Sequence, residues 1–444
     1  MRVAGAVVLL AILVPATSLF IIATALPTVV ADIGGLALYA WATIAYSVAS
    51  IVGSAASSAA ARRFGLRGGL AVASALFVTG SLACALAPTM AVIVAGRAVQ
   101  GLGGGMIIGV VHATVRVVFP AHLWPRMLAT ISVAWGVAAL TGPLIGGMLA
   151  QRGLWRATFW LMLPLVALVA LLAWRLLPPR RPGTGRERAP LGRLLLICAA
   201  VLSLALVANT PGARGRALLF IVTAVAITAA FALDARAPAR LFPSGLLSLR
   251  RPLGKAFLMI FLVAMATSPF AIYMALFVQA VHAATPTVAG YVFAAHSLAW
   301  TAAAIVTTRL PAAHVRMALI GGPVLMVLGF IGLALTLGRG PVAALAVAIV
   351  IEGIGIGTCW AHMGNVVLGA ARADEEEATA ALIPNTQLFA VAFGGALCGI
   401  VASAIGLTHE ASPAVAAATG RALFGGSAAA ALAAAVLALR LRPA

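Results

Sequence analysis

Apolar runs of about 20 residues recur from one end of this chain to the other, parted by short clusters of Pro, Gly and Arg. That length is what an α-helix needs to cross the hydrocarbon core of a bilayer. Inside that core the backbone must satisfy its own hydrogen bonds, which leaves helices or a closed barrel. The runs are continuous rather than alternating, so the chain reads as an all-α polytopic membrane protein. Composition decides one further point. Hydrophobic residues make up 63% and charged residues 9% of the chain, and soluble domains carry about 25% charge. The stretch after Arg2, apolar to Val30, is long for a cleaved leader and reads as the first span.

Breaking the sequence at Pro, Gly and charge clusters gives fourteen candidate helices, at 4–30, 38–60, 69–87, 90–113, 127–149, 157–177, 194–209, 217–233, 256–281, 287–308, 317–338, 342–369, 380–405 and 419–439. An even number puts both termini on one side. With that alternation, 22 of the 29 basic residues fall on the terminus side and 6 on the other, with Arg97 inside a span. The positive-inside rule then places both termini in the cytoplasm. The basic residues lie between the apolar runs, so the net charge of +20 reports topology and excludes a nucleic-acid-binding face. Their being almost all Arg, with an Ala and Gly excess, fits a high-GC bacterial genome and hence the bacterial cytoplasmic (inner) membrane. Cys84, Cys198, Cys359 and Cys398 all fall in spans without ligand spacing, so neither disulfide nor metal is expected.

A weak internal repeat divides the chain into a six-span bundle (1–179), a linker with two extra spans (180–255) and a second six-span bundle (256–444). The basic turn ARRFGLRG after span 2 returns in weaker form as TRLPAAHVR after span 10, and Gly146-Gly147 in span 5 matches Gly394-Gly395 in span 13. Parallel six-span repeats are the building plan of rocking transporters. Spans 7 and 8 read as a lipid-facing spacer, and the amphipathic stretch 240–251 as a cytoplasmic surface segment.

Of nine carboxylates only Glu352 sits in the middle of an apolar run. An ionisable group at that depth costs about 3 kcal/mol and is kept chiefly for an ion, a proton or a substrate. His296, mid-span 10, is the second ionisable candidate; His112 and His362 lie nearer the cytoplasmic side. In GRAVQGLGGGM (96–106), Arg97, Gln100, Gly101, Gly104 and Gly105 share one helix face, a cation above a smooth glycine track. Arg97 lies too deep to snorkel and must either meet a wet cavity or partner, or cap carbonyls structurally. In GVAALTGPLIGGML (136–149), Gly142, Pro143, Gly146 and Gly147 combine close packing with a flexible bend. Arg62, Arg63, Gly65 and Arg67 form the basic turn after span 2, read either as a gate or as plain anchoring. Asn385 and Gln387 in span 13 add polar candidates. Trp41, Trp135, Trp300, Trp360, Phe270 and Tyr273 could line an apolar pocket or simply pack.

These motifs resemble the major facilitator superfamily, in its fourteen-span drug:proton antiporter branch, and the resemblance covers nearly the whole chain. It implies two rocking six-helix halves, a small-molecule substrate, export driven by a proton gradient without a cofactor, and a monomer in the lipid bilayer. It links Arg97 to proton transfer, the Gly142–Gly147 motif to export and the interface of the halves, and the turn at Arg62–Arg67 to gating. LWRATFWLMLP (154–164) also matches the branch. Two departures stand out. The acid expected in the gating turn is Arg62, for which the DEEE stretch (374–377) is a possible substitute. The acid expected in span 1, near Ser18, is missing, as is a polar residue near Ala23; Glu352 is the residue that could take over proton coupling. Without it, an uncoupled facilitator or one moving lipid or metabolite is the alternative. An enzyme is not expected: there is no HExxH, no paired carboxylates, no Ser-His-Asp set in an extramembrane domain, and no loop much beyond 20 residues.

Overall fold

The computed structural model describes residues 2–177, 191–237, 240–338, 340–372 and 375–441, and within them the chain is all helix and connecting turns. The basic linker 180–190, Arg339, Arg442 and Asp374 of the acidic stretch 374–377 lie outside the described residues. The helices are α1 (Arg2–Ile33), α2 (Trp41–Ala85), α3 (Met90–Val118), α4 (Trp124–Gln151), α5 (Ala157–Trp160), α6 (Met162–Leu176), α7 (Leu191–Leu206), α8 (Ala213–Ala235), α9 (Pro252–Ala266), α10 (Ser268–His282), α11 (Pro286–Thr307), α12 (Ala312–Thr336), α13 (Val342–Gly369), α14 (Glu376–Ile405) and α15 (Pro413–Leu439). They cluster into two compact units, 1–202 with 285–290, and 203–284 with 291–444.

Thirteen helices among the described residues are long and apolar enough to cross a membrane, not the fourteen expected. The difference is α2, in which the expected helices at 38–60 and 69–87 are joined. At 1.5 Å per residue its 45 residues would span roughly 70 Å if straight. It is not straight. Gly65 adopts φ 73°, ψ 176°, a conformation closed to side-chain-bearing residues. A Cβ on Gly69 would lie 3.3 Å from Ala61 N, so the chain folds back on itself there. Along α3 the first half of α2 runs parallel, Tyr46 beside Gly101 and Ser57 beside Gly109. The second half runs antiparallel, Phe77 beside Gly103 and Cys84 beside Gly96. The turn is one residue wide, which is why helical hydrogen bonding reaches it from both sides.

In the first unit, the apolar faces of α1, α3, α4 and α6 and the second half of α2 form one core around Ile12, Phe77, Val110 and Met162. The expected close packing of the 136–149 motif is present. A Cβ on Gly142 would lie 3.0 Å from Phe20, and one on Gly146 would overlap α1 at Ile21 and Thr24. Thr24 Oγ1 donates to Pro143 O at 3.0 Å. Residues 285–290 pack onto the same motif, Pro286 against Gly147 and Gly290 against Pro143 O. Arg67 Nε donates to Leu177 O, and Arg63 lies over the Phe64 ring at 5.4 Å.

In the second unit, Phe424 stacks on Phe330 and meets Phe277 edge-on where α10, α12 and α15 meet. Residues 240–251 form turns and bends. Asp234 accepts from Leu241 N and Phe242 N at 2.8 and 3.0 Å. Glu375, in the acidic stretch 374–377, accepts from Ser244 N and Ser244 Oγ at 3.0 and 2.9 Å. In the α7–α8 region the Ser203 and Thr223 hydroxyls bond at 2.8 Å, and Ala208 O accepts from Ser403 Oγ of α14 at 2.7 Å.

Candidate functional site

Among the described residues, each unit buries a cluster of strongly polar side chains. In the second unit it brings together Glu352 and His296, which the sequence marked only as separate candidates. Glu352 on α13 is fully buried and His296 on α11 is 6% exposed. His296 Nε2 and Glu352 Oε2 meet at 2.5 Å, although at an angle outside hydrogen-bond geometry, and Glu352 Oε1 has no hydrogen-bond partner. A charge removed from water is tolerated only when paired or neutralised, and here each group is within reach of the other. The surroundings are aromatic. The Phe270 ring lies 4.3 Å from the imidazole and the Trp300 ring 5.9 Å, with Trp360 6.0 Å beyond Trp300.

Glycines set this approach. A Cβ on Gly353 would lie 2.7 Å from His296 O, and one on Gly329 would lie 2.7 Å from Glu352 N. In EGIGIG (352–357), Gly353 and Gly357 therefore face α11, while Gly355 faces Met326 of α12. The alternating glycines were visible in the sequence, but the neighbour of each was not.

In the first unit, Arg97 on α3 is fully buried. Nε donates to Ala42 O at 3.2 Å, and Nη1 donates to Ser18 Oγ at 3.0 Å and Gln100 Oε1 at 2.6 Å. The Tyr46 ring packs 4.1 Å from the guanidinium carbon, and its hydroxyl donates to Pro15 O at 3.1 Å. Gln100 Nε2 donates onward to Ser81 Oγ at 2.7 Å. Nη2 has no hydrogen-bond partner. The acid missing near Ser18 is thus missing at the very contact where it would have met Arg97.

The two clusters occupy corresponding places in the repeat. Gly101 and Gly105 of α3 abut the carbonyls of Tyr46 and Ser50; Gly353 and Gly357 of α13 abut those of His296 and Trp300. Gly80 abuts Gln100 N as Gly329 abuts Glu352 N, and Gly103 abuts Phe77 N as Gly355 abuts Met326 N. Glu352 therefore stands where Gln100 stands, and His296 where Tyr46 stands. Ile349, buried and apolar, takes the place of Arg97.

The remaining candidates fall outside these clusters. Asn385 and Gln387 are half-buried on α14 and make none of the contacts just described. His112 Nδ1 lies 2.8 Å from Ile108 O, and His362 Nε2 lies 3.1 Å from Thr307 O, the contacts of packed histidines. Trp135 packs on Phe20. A group that was not singled out closes one end of the first unit. Asp32 Oδ2 accepts from Trp155 Nε1 at 3.0 Å and Arg156 Nη1 at 2.9 Å, and Arg156 Nη2 reaches Ala87 O at 3.2 Å. The Trp-Arg pair of LWRATFW was its signal.

Long apolar helices in two units, each with a buried polar cluster, define a polytopic membrane transporter. The chain belongs to the major facilitator superfamily, whose family profile matches residues 8–246. It is 34% identical over 399 residues to a probable multidrug-efflux transporter of Mycobacterium tuberculosis, covering 87% of this chain and 84% of that protein. It is 35% identical over 199 residues to an efflux pump of Gibberella fujikuroi, covering 44% and 36%. In fold it is similar to the POT family transporter PepTSo, with a TM-score of 0.71, 15% identity and coverage of 99% and 98%. Secondary active transport follows from family and fold.

Proposed function

We propose that this protein exports hydrophobic or amphiphilic small molecules in exchange for protons, with Glu352 as the group that takes up and releases the proton. The buried contact between Glu352 and His296 carries the reading. A carboxylate without water is stable when protonated or when matched by a cation, so moving a proton on or off this pair changes the charge the surrounding helices must accommodate. Glycine-close packing of α13 on α11 and α12 would convert that change into helix movement, as alternating access requires. The efflux names of the relatives support the direction of transport.

With the reversal at Gly65 counted as a loop, the thirteen candidate helices become fourteen crossings, as in the drug:proton antiporter branch. Both termini then face the cytoplasm of a bacterial inner membrane, and a monomer driven by the proton gradient suffices. Ser18 in place of an acid supports the second reading, an uncoupled facilitator. Proteoliposomes loaded with fluorescent amphiphiles of either charge test both. Gradient-driven efflux that Glu352→Gln abolishes is expected; efflux indifferent to the gradient and to the substitution would establish the facilitator.

A further inference from the structure

We infer that Arg97 is a binding site for an anionic group, and that the cargo class of this transporter includes amphiphiles carrying a carboxylate. The inference rests on the export reading only in treating the bound anion as cargo. Arg97 is fully buried, and arginine does not give up its proton in proteins. An unmatched buried cation costs on the order of several kcal/mol. Carbonyl, hydroxyl and amide oxygens and the Tyr46 ring surround the guanidinium, and among the described residues no carboxylate pairs with it.

The sequence leaves little to supply one. Residues 1–202 hold only two carboxylates, Asp32 and Glu187. Asp32 is taken by Arg156 and Trp155. Glu187 belongs to the linker between spans 6 and 7, outside the described residues. The corresponding cluster of the second unit shows what this packing holds when the sequence provides an acid and a base: a carboxyl against an imidazole. In the first unit the sequence provides the cation alone. Nη2, buried and without a hydrogen-bond partner, is the donor left for an incoming oxygen. A carboxylate suits that fork better than a point-charge ligand would, and an apolar tail suits the rest of the helix faces.

The test is thermal unfolding of the purified full-length protein in nanodiscs with three probes: decanoate, decyltrimethylammonium and chloride. Decanoate is expected to raise the midpoint by about 3 °C near saturation, and its matched cation to leave it unchanged. Arg97→Gln should lose the response while keeping or raising basal stability, because it removes an unmatched charge. Ser18→Asp keeps Arg97 but places a carboxylate at its 3.0 Å contact, and should lose the response as well. A chloride response with the same dependence on both substitutions would assign the site to a small inorganic anion and overturn the carboxylate cargo. A decanoate response unchanged by either substitution, no response in wild type, or a response to decyltrimethylammonium alone would overturn the site. None of these readouts depends on transport, so a failed efflux assay and a failed anion site are told apart.

Discussion

Glu352 and His296 meet at 2.5 Å in a buried site, and that gives a residue-scale prediction. His296→Phe leaves a fully buried carboxyl without the imidazole, and should cost about 3 kcal/mol, read as a lowered unfolding midpoint. The double substitution His296→Phe/Glu352→Gln should recover most of that loss, because removing both partners leaves no orphan. Additive losses in the double-mutant cycle would show that the 2.5 Å contact carries no coupling. Glu352 and Arg97 were each legible in the sequence, since an ionisable residue in an apolar run announces itself. Their partners were not. His296 lies 56 positions before Glu352, and only the packing register of α11 on α13 brings them together. Tyr46 was invisible for another reason: a lone aromatic in a membrane helix has many commoner uses than lying against a guanidinium.

At the scale of elements, glycine spacing determines which helices approach closely, and two substitutions read this out. Gly353→Val and Gly329→Val place side-chain atoms where backbone already lies, at 2.7 Å from His296 O and Glu352 N, and should each cost at least about 1–3 kcal/mol by overpacking. Gly364→Ala on the same helix meets nothing within 4 Å and should fall within about 1 kcal/mol of wild type, on the stabilising side. Equal effects at all three positions, measured by thermal unfolding, would remove the close-approach argument. Gly65→Ala tests a different property. At φ 73°, ψ 176° an alanine is strained whatever the space around it, and a loss of about 1–3 kcal/mol is expected. The sequence marked most helices well because apolar length and turn residues are local signals. It placed Gly65 in a loop between two helices, whereas the structure confines the reversal to a single residue, a distinction that backbone dihedrals settle and composition does not.

At the scale of the whole molecule, the question is whether α2 crosses the membrane once or twice, because every later loop changes side with the answer. A 45-residue helix crossing once would leave more than half its length outside a core of roughly 30 Å. Centred on the helix, that crossing would also put Arg62, Arg63 and Arg67 at hydrocarbon depth, at an insertion cost of about 3 kcal/mol each. Two crossings hinged at Gly65 put all three in water on the side where most of the basic residues already lie. Labelling with a membrane-impermeant maleimide decides it, and all four native cysteines are buried, so the background is low. Arg63 and Leu154 are exposed. With two crossings, Leu154→Cys should label in right-side-out cells and Arg63→Cys only in inverted vesicles, with tags on both termini on the Arg63 side. With one crossing, Arg63→Cys would label from neither side and the terminal tags would lie on opposite faces. That outcome would break the correspondence between spans 2–4 and 10–12, on which the matching of Gln100 with Glu352 and of Tyr46 with His296 depends.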